Sequence, residues 1–309
     1  MLSLIVRRLL AGTLVLWGAS TLIFLIVRVA PGDPATVLLG PDADPGQIAA
    51  LRVTLGLDQP IPVQYLDYMG QILHLDFGQS YRLASSALDA VLSRLPATVD
   101  LTLTSAVISV FAGLLLGSAA GIRAGSTQDR IVTTITIVLQ SFPTFWLGIM
   151  LILVFALGLR LLPSSGVSGL SSIILPALTL SFPFTAIVAR VARSGIAEAM
   201  AEPYVQTALS KGLTPRQVLT GHVLRNALIP VTTVVGLQVG ALLGGAVVVE
   251  NVFAWPGLGT LIVDSVGNRD YAVVQAATLM IAAIIVLLNL VTDLLYARLD
   301  PRIRATAAS

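Results

Sequence analysis

Six stretches of the chain are apolar and free of charge for long enough to cross a bilayer, which takes about 20 residues. They run from Leu9 to Val27, Leu101 to Ile122, Ile131 to Leu159, Leu170 to Ala189, Asn226 to Val249 and Tyr271 to Thr292. Pro176 and Pro183 interrupt the fourth, so a kinked or re-entrant segment is its alternative. The first has the alternative of a secretory signal, because Arg7-Arg8 precede it and Val29-Ala30 follow it. Its apolar run is long for a signal core, Arg28 interrupts the approach to any cleavage site, and Pro31 would follow the cut, so it reads as a retained membrane helix.

Polar residues concentrate in two places. Residues 31–97, between the first two spans, predict a small helical cap. Asp44-Pro45-Gly46-Gln47 supplies a cap, a first-turn proline and a residue that can reach back, and Gly56 ends that helix about three turns later. Two further amphipathic helices are expected over Val63 to Leu73, broken at Gly78, and over Ala84 to Leu95. The second polar segment, residues 194–226, lies between the fourth and fifth spans. There Pro203 suits a first helical position, Tyr204 to Lys211 make about two turns, and Gly212 ends them. Thr214-Pro215-Arg216-Gln217 then repeats the start signal, with Gln217 at the capping-box position. A short rigid helix followed by a glycine corner is a docking element, with Tyr204, Ala208 and Gly212 recurring at four-residue spacing as a smooth face. Lys211, Arg216 and Arg225 are few for a helix that merely lies on anionic lipid.

Composition agrees with membrane residence and removes whole classes of chemistry. Of 309 residues, 56% are hydrophobic and 11% charged, against about a quarter charged in soluble domains, and the mean hydropathy is +0.91. A water-soluble enzyme is excluded. With no cysteine there are no disulfides, thiolate metal sites or Cys nucleophiles, and His74 and His222 alone make a poor metal centre, so no metal site is expected. The sole lysine, Lys211, is not preceded by a glycine-rich phosphate loop. If ATP drives this protein, another chain binds it.

The net charge of +2 gives no reason to expect nucleic acid, and its distribution is more informative. With the N-terminus inside and six crossings, the cytoplasmic side receives Arg7, Arg8, Arg123, Arg130, Arg190, Arg193, Lys211, Arg216, Arg225, Arg298, Arg302 and Arg304, twelve of the 18 basic residues. Removing the fourth crossing would strand the basic tail outside. Six crossings with both termini cytoplasmic are therefore expected.

No acid or base stands at mid-depth in these spans, since Asp100, Glu250 and Asp293 fall at predicted helix ends. A proton-coupled or facilitative carrier working alone has little to use. No Gly-x-Ser-x-Gly, His-Glu-x-x-His or paired intramembrane aspartates support an intramembrane hydrolase. The spans do carry Thr133, Thr134, Thr136, Gln140 and Ser141, and Gln238 further on. Thr133, Thr136 and Gln140 can share a helix face. Thr136, Gln140, Ser141 and Gln238 either line a translocation path or hold helices together by hydrogen bonds. Gly236, Gly240 and Gly244 form a stripe suited to close helix packing at a subunit interface or along a pore.

The stretch Tyr204-Val205-Gln206-Thr207-Ala208-Leu209-Ser210-Lys211-Gly212-Leu213, continued by His222-Val223-Leu224-Arg225-Asn226-Ala227-Leu228-Ile229-Pro230, resembles the cytoplasmic "EAA" loop of inner-membrane permeases of binding-protein-dependent ABC importers, in the peptide and nickel branch. Pro31-Gly32-Asp33-Pro34, Leu55-Gly56-Leu57-Asp58, Arg94-Leu95-Pro96-Ala97-Thr98, Glu250-Asn251-Val252-Phe253, Pro256-Gly257-Leu258-Gly259, Arg269-Asp270-Tyr271 and Asp300-Pro301-Arg302-Ile303 are also similar to family signatures. The large outer segment looks like that of the first of two permeases in a dipeptide or oligopeptide system. Gln206 and Leu209 depart from the branch, which often has arginine there, and Thr207 stands where the general loop has glutamate.

The resemblance implies an all-α membrane protein with the type I ABC importer permease fold, six transmembrane helices and a small helical extracytoplasmic insertion, all one permease domain over residues 1–309. It implies a non-catalytic subunit of the bacterial cytoplasmic membrane that pairs with a second, homologous permease, two cytoplasmic ATPases carrying ATP and Mg, and an extracytoplasmic peptide-binding protein. Tyr204, Thr207, Ala208, Lys211, Gly212, Leu213 and Arg216 would then belong to the surface coupled to the ATPase. The implied cargo is a dipeptide or oligopeptide, with nickel or glutathione as the alternative.

Overall fold

The computed structural model describes residues 2–29, 34–40, 43–54, 56–80 and 82–299. The family-like motifs at Pro31-Gly32-Asp33, Leu55 and Asp300-Pro301-Arg302-Ile303, with the basic residue Arg304, lie outside them. In chain order the helices are α1 (Leu2–Val29), α2 (Pro34–Leu39), α3 (Pro45–Thr54), α4 (Ile61–Leu73), α5 (Ala87–Gly121), α6 (Thr127–Ser141), α7 (Thr144–Leu151), α8 (Ile174–Ala201), α9 (Pro203–Ser210), α10 (Pro215–Val218), α11 (Leu224–Val252), α12 (Leu258–Gly267) and α13 (Tyr271–Leu299). Two-residue strands β1 (Gln79–Ser80) and β2 (Ser85–Ser86) pair antiparallel before α5. π-Helical turns extend α7 over Ile152–Gly158 and join α10 to α11 over Leu219–Val223.

Among the described residues, five helices are long and apolar enough to span a membrane, and α6 with α7 forms a bent pair that can count as a sixth. This corrects the expectation of one continuous third span over Ile131 to Leu159. The chain turns by 102° between α6 and α7. Pro143 explains the break, because it lacks a backbone donor and pushes Phe142, the residue before it, into extended backbone at φ −88° and ψ 138°. The fourth span, by contrast, is one unbroken helix despite its prolines. Pro176 sits in the first turn of α8, where no intrahelical donor is required.

The helical cap expected over residues 31–97 is also corrected at one point. α3 and α4 form near where expected, with the Asp44 carboxylate accepting from the Gly46 N–H at 3.1 Å and Gly56 turning at φ +64°. The helix expected over Ala84 to Leu95 does not stand alone. α5 starts at Ala87, where Ser86 and Asp89 bond reciprocally, and runs on through Pro96 to Gly121.

The chain divides into two compact units, residues 1–97 with 256–290, and residues 98–255 with 291–309. In the first, Ala87 and Val91 of α5 are fully buried with Leu258 of α12 and Val273 and Ala277 of α13. The C-terminal end of α1 is fastened to α4. Phe24 stacks on Tyr68, their ring centres 5.4 Å apart, and the Arg28 guanidinium lies over the Phe24 ring while its Nε donates to Gln64 Oε1 at 2.7 Å. Burial holds the Tyr68 phenol well above the usual tyrosine range, so it stays neutral. The Ser80 hydroxyl accepts from the Leu83 N–H and donates to the buried Asp270 carboxylate, which begins α13.

In the second unit α8 is the axis. Of its most apolar window 67% is buried, against 28% for each of the other four spans. Gly113, Gly117 and Gly121 of α5 seat on it without side chains. A Cβ at these positions would lie 2.6 Å from Val188 Cβ, 2.5 Å from the Ala189 carbonyl and 2.8 Å from the Arg193 carbonyl. Small residues at four-residue spacing let two backbones meet in this way. Gly148 of α7 packs less tightly, a Cβ there lying 3.1 Å from Phe253 and Val252 and 3.4 Å from Thr179.

Candidate functional site

The loop between α8 and α11 is built as its local chemistry predicts. Glu202 is extended at ψ 144°, and Pro203 starts α9. The helix closes where Gly212, at φ +88°, lets the Leu213 N–H reach back to the Ala208 carbonyl at 3.2 Å. Thr214 then caps α10, and Gln217 Oε1 accepts from the Thr214 N–H at 2.9 Å, completing the capping box.

Burial sorts the candidate coupling residues into two faces. Val205 and Ala208 point inward, packed with Ile196 and Ala199 of α8, Val218, Val223 and Ala227. Tyr204 and Leu213 are half-buried against the same cluster. Ala208 is therefore part of the support beneath α9, and the smooth face expected of Tyr204, Ala208 and Gly212 is corrected. Exposed side chains are Gln206, Thr207, Leu209, Ser210, Lys211 and Arg216. Leu209, 42% exposed, was read in sequence only as a departure from the branch and not as a coupling residue. An apolar residue two turns from the start of a helix whose other apolar positions face inward was the available signal.

The second candidate region lies on α6. Thr133 and Thr136 line a cleft of about 380 Å³ with Val132, Ile137, Ala189, Arg190, Arg193 and Ser194. Thr136 is buried and its hydroxyl donates to the Thr133 carbonyl. Gln140 Oε1 accepts from the Arg190 guanidinium at the edge of the cleft. Ser141 is exposed and donates to the Ile137 carbonyl. Gln238 is half-buried on α11 and is not among the cleft residues. Of the four path candidates, Thr136 and Gln140 thus come together and Ser141 and Gln238 do not join them. Of the Gly236, Gly240 and Gly244 stripe, a Cβ on Gly244 would meet nothing within 4 Å, while the Gly236 carbonyl accepts from the Thr292 hydroxyl at 3.4 Å.

One ion pair and one buried carboxylate tie helices together in this unit, partnerships that the sequence did not reveal. Asp129 of α6, buried, accepts from Arg193 Nε at 2.9 Å and Nη2 at 2.6 Å. The same carboxylate accepts from the Gly125 N–H at 2.8 Å, which holds the turn between α5 and α6. Glu250, fully buried on α11, accepts from the Thr98 hydroxyl at 2.6 Å. Among the described residues, no group of three or more His, Asp or Glu side chains converges as a metal site would require.

A profile described as "Binding-protein-dependent transport system inner membrane component" matches residues 113–305, and the corresponding N-terminal profile matches residues 1–102. The chain belongs to this family, the multi-pass membrane permeases of ABC importers. Its relatives include the glutathione transport system permease protein GsiC of Salmonella choleraesuis (strain SC-B67) and that of Escherichia coli (strain K12). Each is 43% identical over 304 residues, covering 98% of this chain and 99% of the relative. Among solved structures, an inward-facing MetNI methionine ABC transporter matches with a TM-score of 0.55 at 18% identity, over 68% of this chain and 96% of the other. A second, an amino acid ABC transporter with histidines, matches with a TM-score of 0.51 at 19% identity, over 69% and 94%. The type I importer permease fold is common to all.

Proposed function

We propose that this permease carries short peptides, glutathione among them, into the cytoplasm. It works beside a second, homologous permease, two cytoplasmic ATPases and an extracytoplasmic binding protein, with both of its own termini in the cytoplasm. ATP and Mg belong to the ATPase chains, and this subunit is mechanical. Glutathione is itself a tripeptide, so the name carried by relatives 43% identical over nearly the whole chain falls within the peptide class.

What supports the mechanical role above all is α9. Its inward residues are embedded against α8 and the start of α11, while Gln206, Leu209 and Ser210 face out. A push on the outward face is delivered to the helices that carry α9. Such a contact drives transport only if it binds the ATPase states unequally, because equal affinity shifts nothing.

The test is ATP-dependent uptake of a labelled dipeptide and of labelled glutathione by the complete complex in proteoliposomes, compared with its Gly212→Leu variant. Gly212 has open space around a Cβ but a positive φ, so the variant inserts with about 1 kcal/mol of local strain. It should assemble yet lose substrate-stimulated ATP hydrolysis. Normal stimulation in the variant would refute coupling through this corner, and uptake of neither cargo by the wild type would refute the peptide assignment.

A further inference from the structure

The cleft between α6 and α8 has a chemistry that peptide transport does not require. Leu170 to Arg190 is about 20 residues, or roughly 30 Å of helix, which is the thickness of the hydrocarbon core. Arg190 therefore stands at the far edge of the apolar layer. α6 meets α8 at this level. Asp129 and Gln140 are eleven residues apart on α6, about 16 Å, yet their partners Arg193 and Arg190 are three residues apart on α8, about 4.5 Å. With the 102° turn into α7, this sets α6 obliquely across α8.

Two features of the cleft point to an amphiphile. Arg193 is neutralised by Asp129, whereas the hydrogen-bond partner of Arg190 among the described residues is the neutral Gln140 amide, so one positive charge is left over. Beside it the wall is apolar, lined by Ile137 of α6, 53% accessible, with Val132 and Ala189. A soluble anion would use the guanidinium and leave the apolar flank bare. A phospholipid uses both, and basic pockets between membrane helices on the cytoplasmic side suit anionic headgroups.

We propose that this cleft is a binding site for one anionic phospholipid, its headgroup phosphate on Arg190 and its acyl chains along Val132, Ile137 and Ala189. The leaflet, though not the site, rests on the orientation proposed above. A lipid held there would secure α6 against α8 at the depth where the cytoplasmic headgroups begin.

Native mass spectrometry of the complete complex, exchanged into phosphatidylglycerol or phosphatidylcholine, tests the site. Wild-type complex should retain a phosphatidylglycerol adduct in preference to phosphatidylcholine, and Arg190→Gln should lower that retention about fivefold, the worth of one basic side chain near an anionic lipid. Arg190→Lys, which keeps the charge, should restore most of it, separating lost charge from misfolding. Equal retention by wild type and Arg190→Gln, or no preference for phosphatidylglycerol in the wild type, overturns the proposal. Inorganic phosphate should not displace the adduct. If it does, the site recognises a free anion and the lipid assignment is wrong. ATP-driven uptake by the wild-type complex is measured separately, so failure here leaves the transport assignment standing.

Discussion

Arg193 grips Asp129 with two nitrogens, at 2.9 and 2.6 Å, across 64 residues of sequence. The carboxylate is buried, while the guanidinium side chain is 36% exposed. Asp129 also takes the Gly125 N–H, so one residue closes the turn leaving α5 and ties α6 to α8. Removing it leaves the Arg193 guanidinium without its carboxylate and frees a backbone donor.

Asp129→Ala should therefore destabilise the permease by about 2–3 kcal/mol, the range for a charge-assisted hydrogen-bonded pair that is not wholly desolvated. Thermal unfolding of the detergent-solubilised complex measures it. A double-mutant cycle with Arg193→Ala should give a coupling energy well above that of an exposed ion pair, and additive losses would show that the pair does not hold the helices.

Backbone contact between α5 and α8 makes Gly117 hard to replace. Even alanine puts a Cβ 2.5 Å from the Ala189 carbonyl and 2.7 Å from Ala192 Cβ, both parts of a fully buried helix face. Gly117→Ala should sharply reduce accumulation of folded permease, whereas Gly18→Ala, with nothing within 4 Å, should be neutral or stabilising by up to about 1 kcal/mol. Fluorescence-detected size exclusion reads both. Equal behaviour of the two variants would show that the helices can separate at little cost.

These residues mark where sequence was informative and where it was not. Helix punctuation is local chemistry, so Thr214 with Gln217, Gly212 and Asp44 could be read before any fold was known, and each does what its type and spacing require. The break at Phe142-Pro143 was hidden because the apolar composition continues across it, and composition reports burial in lipid without reporting direction. The Gly113, Gly117 and Gly121 stripe has the same spacing as Gly236, Gly240 and Gly244, and spacing alone does not say that Gly117 is pressed against a neighbour while Gly244 is open. Ala208 shows the same limit on α9. Four-residue periodicity identifies a face, but only packing against Ile196 and Ala199 decides that this face looks inward.

The two faces of α9 should respond oppositely to substitution. Ala208→Leu forces a larger side chain into the cluster of Val205, Val218 and Val223 and should destabilise the permease by about 1–3 kcal/mol. Leu209→Asp should leave stability within about 0.5 kcal/mol, as expected of an exposed position, while abolishing substrate-stimulated ATP hydrolysis in the complex. The chain has no cysteine, so Ser210→Cys adds a unique probe beside Leu209. A membrane-impermeant maleimide should label it in inverted vesicles and not in intact cells, and should label it less once the ATPases are bound. Labelling from the outside would reverse the proposed orientation.

Thr98 and Glu250 join α5 to α11 through a 2.6 Å hydrogen bond inside the second unit, with the glutamate fully buried and the threonine nearly so. A buried carboxylate keeps its place only while its oxygens are supplied with donors, and losing one costs about 1–3 kcal/mol. Thr98→Val removes the hydroxyl at nearly constant volume and should lower the unfolding temperature of the complex by several degrees, while Thr98→Ser, which keeps the donor, should recover most of the loss. Glu250 also sets the turn after α11, because its carbonyl accepts from the Trp255 N–H at 2.8 Å and Ala254 between them sits at φ +48°. Glu250→Gln keeps the shape and can still accept from Thr98, so it should be tolerated better than Glu250→Leu, which leaves the Thr98 hydroxyl without this acceptor. If leucine were tolerated as well as glutamine, apolar packing rather than the Thr98 bond would be what joins α5 to α11 at this point.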